Sequence, residues 1–200
     1  MQDRVGKTFS EEYVEWRQPL EYSEIPFFIQ ELFIQSEDTE FYEHVGFDIS
    51  AIVRAVVSNS SAQQSSQGGS TITQQLVRMR YLTEEKTYER KVTELLYAYE
   101  LEEVSSKEKI LEMYLNEMYF SNQVYGIGAA STYYFQKNLV ECSEAEMAFL
   151  AAIPNNPTLY NPLKHFKKTK NRQELLLDVL ANNGTITQEQ ANLFKSQKIT

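Results

Sequence analysis

The amino-acid sequence predicts a mainly α-helical globular domain. Apolar residues recur at helical spacing in residues 27–36, 88–99 and 110–118. Strand patterns are scarce, because no stretch alternates apolar and polar residues for long and no Asn-Gly turn joins two apolar runs. The chain has 200 residues, of which 42% are hydrophobic and 24% charged. That balance is typical of one domain with a sizeable core.

The first predicted helix runs from residue 27 into Ser36-Glu37-Asp38. A second is predicted over residues 48–58, with Asp48 as N-cap and apolar residues on one broad face. Residues 58–69 are polar and low in complexity, which is typical of a mobile loop. Directly after this loop the sequence predicts a helix start with a capping box, at Ser70, Thr71 and Gln74.

The second half of the chain is predicted to be almost wholly helical. Its first two helices carry apolar stripes at residues 88–99 and 110–118. Ser143 is the predicted cap of a later helix, which Pro154 ends. One more helix is predicted around residues 175–180, before a glycine.

Charge and cysteine content exclude several classes of protein. The net charge of -9 argues against a nucleic-acid partner and against broad attachment to anionic lipid. The single cysteine, Cys142, allows no intrachain disulfide.

Neither a signal peptide nor an apolar stretch of spanning length is found. We therefore expect a fragment of a longer protein whose membrane anchor lies outside this sequence.

Residues 37–48 form an acidic cluster with five carboxylates in twelve residues. Crowded carboxylates repel one another, which raises their pKa values and can supply a general base near neutral pH. A solvated acidic helix end, capped by His44, is the alternative interpretation of this segment.

Residues 67–75 form a glycine pair followed by a hydroxyl-rich helix start, with Arg78, Arg80 and Lys86 beyond it. Free backbone N–H groups and nearby cations suit a phosphate or diphosphate. The spacing is not that of a P-loop. An ordinary capped loop-to-helix junction is the alternative.

Arg90, Lys91 and Glu94 lie together within one predicted helix. Arg90 and Glu94 are four residues apart, so a local ion pair accounts for the pattern. The functional alternative places Glu94 towards a cleft, with the two cations balancing nearby anions.

Taken in order, these segments resemble the family 51 glycosyltransferases. These are the peptidoglycan polymerase domains of class A penicillin-binding proteins and their monofunctional relatives. The matching motifs cover roughly residues 20–165. They are Glu37-Asp38 with Phe41, His44 and Gly46; the block Gly68–Gln75; Arg90–Glu94; Ile110–Asn116; and Gly126–Ala130 with Tyr134-Phe135.

The resemblance implies a mainly α fold with a lysozyme-like head lobe and a smaller, membrane-associated jaw lobe at about residues 48–67. It implies a glycosyltransferase domain over residues 1–165. Residues 166–200 would then be a C-terminal helical extension, leading to a missing transpeptidase domain.

The resemblance also implies a reaction. The enzyme would polymerise lipid II into β-1,4-linked glycan with inversion and release of polyprenyl diphosphate. Glu37 would be the general base, and Glu94 would assist the departing diphosphate, either through neighbouring cations or through a divalent metal such as Mg²⁺ or Mn²⁺. The implied substrate-binding residues are Asp38, Phe41, His44, Gln67, Ser70, Thr71, Gln74, Gln75, Arg78, Lys86, Arg90 and Lys91.

Two departures from the family pattern stand out. Arg78-Met79 replaces the usual Lys-Asn, and Ser121 stands where a glycine is common. The expected partners are lipid II, the growing glycan, the membrane surface through the jaw, and cell-wall synthesis proteins. The expected location is the outer face of the bacterial cell membrane. A lysozyme-like glycan-cleaving enzyme and a non-catalytic lipid II-binding module are the two alternatives.

Overall fold

The computed structural model describes residues 15–48, 70–82 and 87–199. Within these ranges the chain is mainly helical, as predicted. The helices are α1 (Phe27–Glu37), α2 (Ile72–Tyr81), α3 (Tyr88–Val104), α4 (Lys107–Glu117), α5 (Ile127–Phe135), α6 (Glu144–Ala151), α7 (Pro162–Asn182) and α8 (Gln188–Ser196). Short 3-10 helices span Tyr22–Glu24 and Leu139–Glu141.

None of the described helices has the length and hydropathy needed to cross a bilayer. The predicted helix at 48–58 and the predicted loop at 58–69 lie almost wholly outside the described residues.

The predicted helix caps are confirmed at two positions. Thr71 Oγ1 accepts a hydrogen bond from the backbone N–H of Gln74 (3.1 Å), while Gln74 Oε1 accepts one from the N–H of Thr71 (2.9 Å). Ser143 forms the same reciprocal box with Glu146 at the start of α6. Each box satisfies donors that a helix start otherwise leaves free.

The two apolar stripes of the second half have different surroundings. The stripe on α4 is buried, and Ile110, Leu111, Tyr114 and Leu115 have no exposed surface. On α3, by contrast, the apolar stripe at residues 88–99 is largely exposed.

The inward face of α3 is formed by Glu94 and Ala98 instead. Gly46, with φ +96°, packs its backbone directly on this face. A Cβ at Gly46 would lie 2.6 Å from the carbonyl oxygen of Ala98. The predicted helix is therefore confirmed at α3, but its apolar stripe is not its buried face. The backbone of Gly46 packs so closely on Ala98 that a small residue is needed there.

Helix α7 packs against α1 and α6. Its residues Leu176, Leu177 and Leu180 belong to the same hydrophobic core as α1 and α4. The expected domain boundary after residue 165 thus falls inside α7, and the described core continues across it.

A two-stranded parallel pair, β1 (Trp16–Arg17) and β2 (Val124–Tyr125), ties the start of the described chain to its middle. The turn before β2 holds Ser121, Asn122 and Gln123 at φ values of 68°, 52° and 63°. This left-handed conformation favours glycine, which agrees with the glycine that the family resemblance implies at position 121. Asn161 Nδ2 holds the turn by donating to Ser121 Oγ (2.8 Å) and Asn122 Oδ1 (3.1 Å).

Candidate active site

Glu37 is the last residue of α1, and its half-buried carboxylate faces a cleft of about 290 Å³. Helix α1 buries its apolar residues Ile29, Leu32 and Phe33 in the core, which fixes the direction in which its C-terminal end points. The cleft is lined by Glu37, Ser70, Gln75, Arg78, Tyr114, Met118, Pro154 and Asn155. Four of these were predicted site residues: Glu37, Ser70, Gln75 and Arg78.

The side chain of Gln75 fixes the carboxylate of Glu37. Its Nε2 donates to Glu37 Oε2 (3.2 Å) and to the backbone oxygen of Ser70 (3.3 Å). Its Oε1 accepts from the hydroxyl of Tyr114 (3.1 Å). Because the tyrosine hydroxyl donates to the amide oxygen, the amide nitrogen is left facing the carboxylate.

The surroundings of Glu37 raise the pKa of its carboxyl above the ordinary value. Burial is the largest cause, since it disfavours the charged form. The hydrogen bond from Gln75 and the positive charges of Arg172 and Arg78 oppose this rise, and the neighbouring charge of Asp38 adds to it. A carboxylate with a raised pKa that still faces the cleft is suited to accept a proton.

Asp38 and His44 form a buried pair that supports the site without facing the cleft. Their side chains are each 6% exposed, and His44 Nε2 lies 2.8 Å from Asp38 Oδ2. The same carboxylate oxygen accepts from the backbone N–H of Ile72 (2.9 Å), at the start of α2. The N–H of Gly46 donates to His44 Nδ1 (3.0 Å), so Nε2 is the nitrogen that donates to Asp38.

A largely buried ion pair between Lys107 and Glu102 connects His44 to α3 and α4. Lys107 Nζ donates to the backbone oxygen of His44 (2.7 Å) and to Glu102 Oε1 (2.7 Å). Glu102 Oε1 also accepts from Thr73 Oγ1 (2.6 Å), in the first turn of α2. The ammonium of Lys107 lies 4.8 Å from the centre of the Phe41 ring. The start of α2, which carries Gln75, is thereby held from two sides.

Several predicted substrate-binding residues are committed to protein partners. Phe41 is fully buried in the core. Thr71 and Gln74 are buried in the capping box, and Thr71 Oγ1 donates to the backbone oxygen of Gly46 (2.6 Å). The structure therefore places Phe41, Thr71 and Gln74, like Asp38 and His44, where they position the site without facing its cleft.

Glu94 is fully buried and engages both of its predicted cationic neighbours. Arg90 Nη1 donates to Glu94 Oε2 (2.6 Å), and Lys91 Nζ donates to Glu94 Oε1. Lys91 Nζ also donates to Ser70 Oγ (3.0 Å), which links α3 to the cleft wall. The local ion pair is thus present, whereas Glu94 itself does not face the cleft and only Lys91 reaches its wall. Gln67 and Lys86, the remaining predicted site residues, lie outside the described residues.

The residues of the described ranges do not form a metal site. No three His, Cys, Asp or Glu side chains cluster there in a metal-binding arrangement. Both oxygens of Glu94 are already engaged by Arg90 and Lys91.

Five residues that line this site or act on Glu37 were not among the predicted site residues: Tyr114, Met118, Pro154, Asn155 and Arg172. Tyr114 was placed in the apolar stripe of α4, although a hydroxyl in such a stripe calls for a hydrogen-bond partner. Pro154 was predicted only to end a helix, and it lines the cleft together with Asn155, which no prediction named. Arg172, far along the chain on α7, acts electrostatically on Glu37. No local sequence pattern marks Asn155.

Comparison with known proteins supplies the family. The model of the family described as transglycosylase matches residues 3–181. The chain belongs to the transglycosylase family. It is a transglycosylase domain of the kind found in class A penicillin-binding proteins.

The transglycosylase relatives are longer than this chain. Penicillin-binding protein 4 of Bacillus subtilis is 49% identical over 201 residues, covering 100% of this chain and 32% of the relative. Penicillin-binding protein 1F of the same species is 44% identical, covering 94% of this chain and 26% of the relative. The chain thus spans no more than about a third of the length of these relatives.

A solved structure shares the fold. The crystal structure of penicillin-binding protein 1A from Haemophilus influenzae matches with a TM-score of 0.59 and 20% identity. The match covers 98% of this chain and 20% of that chain. At this identity the likeness supports the transglycosylase fold alone.

Proposed function

We propose that this domain polymerises lipid II into β-1,4-linked glycan strands, with Glu37 as the general base. The observation that carries the proposal is the placement of Glu37. It is a half-buried carboxylate, held by Gln75 at the wall of a cleft that also contains Arg78. A base and a cation facing one cavity suit a reaction in which a hydroxyl attacks and an anion leaves.

In the proposed step, Glu37 accepts the proton of the sugar 4-hydroxyl of the incoming lipid II. The hydroxyl oxygen forms a bond to the anomeric carbon of the growing chain. The bond from that carbon to the diphosphate oxygen breaks, and the polyprenyl diphosphate leaves with the electron pair. Attack from the opposite face inverts the α-linked diphosphate to a β-1,4 linkage, for which one base is sufficient.

The leaving diphosphate needs its negative charge balanced more than it needs a proton. We assign this role to Arg78 in the cleft and to Lys91, whose ammonium reaches Ser70 on the cleft wall. Lys86 and Arg90 are the further cations of the proposed site. Glu94 is fully buried, so we infer that it acts by holding Arg90 and Lys91 in place and does not touch the diphosphate itself.

The proposed partners follow from this substrate. Lipid II and the growing glycan carry polyprenyl chains, so the domain would work at the membrane surface, on the outer face of the cell membrane. The contact with lipid is assigned to the jaw at about residues 48–67. Other cell-wall synthesis proteins are proposed partners of the longer protein.

The test supplies labelled lipid II and intact peptidoglycan to the purified chain in detergent. We expect glycan polymer from lipid II, lost in Glu37→Gln. Polymer formation should be retained in Glu40→Gln, which removes an exposed carboxylate of the same acidic cluster. Polymer from a well-folded Glu37→Gln variant would overturn the role of Glu37. Release of fragments from peptidoglycan would instead identify a glycan-cleaving enzyme, and lipid II binding without turnover a binding module.

A further inference from the structure

Helix α7 begins with the densest group of positive charges in the sequence. Residues 164–172 contain five of the 19 lysines and arginines of the chain, and no acidic residue lies between Glu146 and Glu174. The net charge of the whole chain is -9, so this group contrasts with an acidic background. Charges at a protein surface act over about 8 Å at physiological ionic strength. An anionic partner at this surface therefore responds to the local positive charge.

These charges do not serve the stability of the helix. Cations are favourable near the C-terminus of a helix and unfavourable near its N-terminus, where the helix dipole is positive. The first turn of α7 has no acidic residue and the last turn has no basic one. Lys170 pairs with Glu174. Lys164, Lys167 and Lys168 are exposed and pair with no acidic residue of the described ranges. A group of cations placed against the dipole and left unpaired indicates a role in binding.

The first residues of α7 (163–168, here called the α7 bend) are held in place by the core. The backbone at His165 is non-helical, with φ -136° and ψ 42°, which kinks the helix. Next to the kink, the ring of Phe166 lies 5.2 Å, between centroids, from the buried ring of Phe149. Thr169 is fully buried and donates through Oγ1 to the backbone oxygen of Tyr160 (3.0 Å). The core thus keeps the lysines of the α7 bend at the surface.

Apolar side chains are exposed beside these lysines. Leu163 is 68% exposed, and Phe166 is 49% exposed in spite of its contact with Phe149. A soluble acidic partner would need only the charges, whereas a lipid surface accommodates both kinds of side chain. Apolar groups enter the boundary between head groups and acyl chains, while lysine ammonium groups reach the phosphates. The combination therefore favours an anionic lipid surface.

We propose that the α7 bend binds the anionic head groups of a phospholipid bilayer. This contact is additional to the one assigned to residues 48–67, and it does not depend on the identity of the catalytic base. Phe149, which Phe166 contacts, belongs to α6, and the chain after α6 leads to Pro154 and Asn155 on the cleft wall. Binding at the α7 bend would therefore hold this side of the cleft near the bilayer.

The test measures co-sedimentation of the chain with vesicles of phosphatidylcholine, alone or mixed with phosphatidylglycerol. We expect phosphatidylglycerol to increase binding. The triple variant Lys164→Gln, Lys167→Gln, Lys168→Gln should lose this increase, with a fall in the partition coefficient on the order of a hundredfold. Its binding to phosphatidylcholine alone should not change. A folded triple variant that retains the increase would overturn the proposal.

A matched control removes three exposed cations elsewhere on the described surface. The triple variant Arg80→Gln, Lys109→Gln, Lys198→Gln changes the net charge by the same amount and should retain most of the increase. An equal loss in the two triple variants would show that net charge alone governs binding, and would also overturn the proposal. Polymerisation of lipid II in detergent, where no anionic bilayer is present, tests the proposed function separately.

Leu163→Ser distinguishes a lipid surface from a soluble acidic partner, because it leaves every charge in place. We expect severalfold weaker binding to vesicles with phosphatidylglycerol and unchanged binding to soluble polyglutamate. Vesicle binding equal to that of the wild-type chain would overturn the lipid assignment in favour of a soluble acidic polymer.

Discussion

The side-chain amide of Gln75 donates a hydrogen bond to Glu37 across 3.2 Å, joining residues 38 positions apart in the chain. Tyr114 orients that amide from the opposite side by donating to its oxygen. The carboxylate is therefore fixed by a neutral donor, and its remaining charge is balanced at longer range by arginines. This arrangement makes the ionisation of Glu37 sensitive to a few identifiable contacts.

Removal of the amide should alter the pH dependence of the reaction. Gln75→Leu deletes a hydrogen bond to the ionised form of Glu37, so the pKa of Glu37 should rise further. The acid limb of kcat/KM should then move to higher pH. Tyr114→Phe keeps the amide but loses its orienting hydroxyl, and should move the limb less in the same direction. An unmoved limb in a folded Gln75→Leu variant would contradict this account.

The raised pKa of Glu37 should also make the stability of the fold depend on pH. Its folded pKa lies above the unfolded value of 4.5, so between these two values the folded chain binds more protons than the unfolded chain. Stability therefore falls as the pH rises through this window and stays lower above it. We expect Glu37→Gln to raise Tm near neutral pH, with a smaller gain at a pH below about 4.

Thermal unfolding at both pH values measures this effect. The matched control is Glu40→Gln, since Glu40 is exposed and its charge has little burial penalty. A lower Tm for Glu37→Gln at neutral pH would show that the carboxylate stabilises the fold, contrary to the prediction.

Arg78 should act mainly on substrate binding. A hydrogen bond to a charged group contributes about 1.5–3 kcal/mol, so Arg78→Ala should raise the KM for lipid II by roughly tenfold or more. The control is Arg80→Ala on the same helix, whose side chain is 48% exposed and lies 3.7 Å from Glu117. Steady-state kinetics on both variants decides the point. An unchanged KM in Arg78→Ala would remove Arg78 from the diphosphate site.

Lys107 should contribute strongly to the stability of the fold, although it lies outside the cleft. Its side chain is 18% exposed and pairs with Glu102, which is 8% exposed. Lys107→Met would leave this carboxylate buried without its cation, at a cost of about 3 kcal/mol. The double variant Lys107→Met, Glu102→Gln should recover part of that loss, because the amide oxygen can still accept from Thr73. Urea unfolding of the four chains measures the coupling, and strictly additive losses would count against it.

Local patterns were sufficient for much of this protein. The helix that ends at Glu37, the capping box at Thr71 and the buried stripe of α4 each follow from residues close together in the chain. The order of the motifs along the chain was sufficient to identify the family. For α3 the same reasoning identified the helix but not its inward face, because the close approach of Gly46 to Ala98 depends on a loop 52 positions earlier.

The roles of the site residues depended on tertiary structure. Asp38, Phe41, His44, Thr71 and Gln74 lie in the same motifs as Glu37 and Gln75, yet burial commits the first group to the protein itself. The effect of Arg172 on the pKa of Glu37 depends on tertiary structure as well, because the two residues lie 135 positions apart in the chain.

The sequence by itself determined the family, the helix that ends at Glu37 and the buried stripe of α4, since these follow from spacing along the chain. Only the tertiary structure decided which neighbours face the cleft and which way they shift the pKa of Glu37. Burial and Coulomb interactions depend on distances through space, and those distances are set by packing between elements far apart in the sequence.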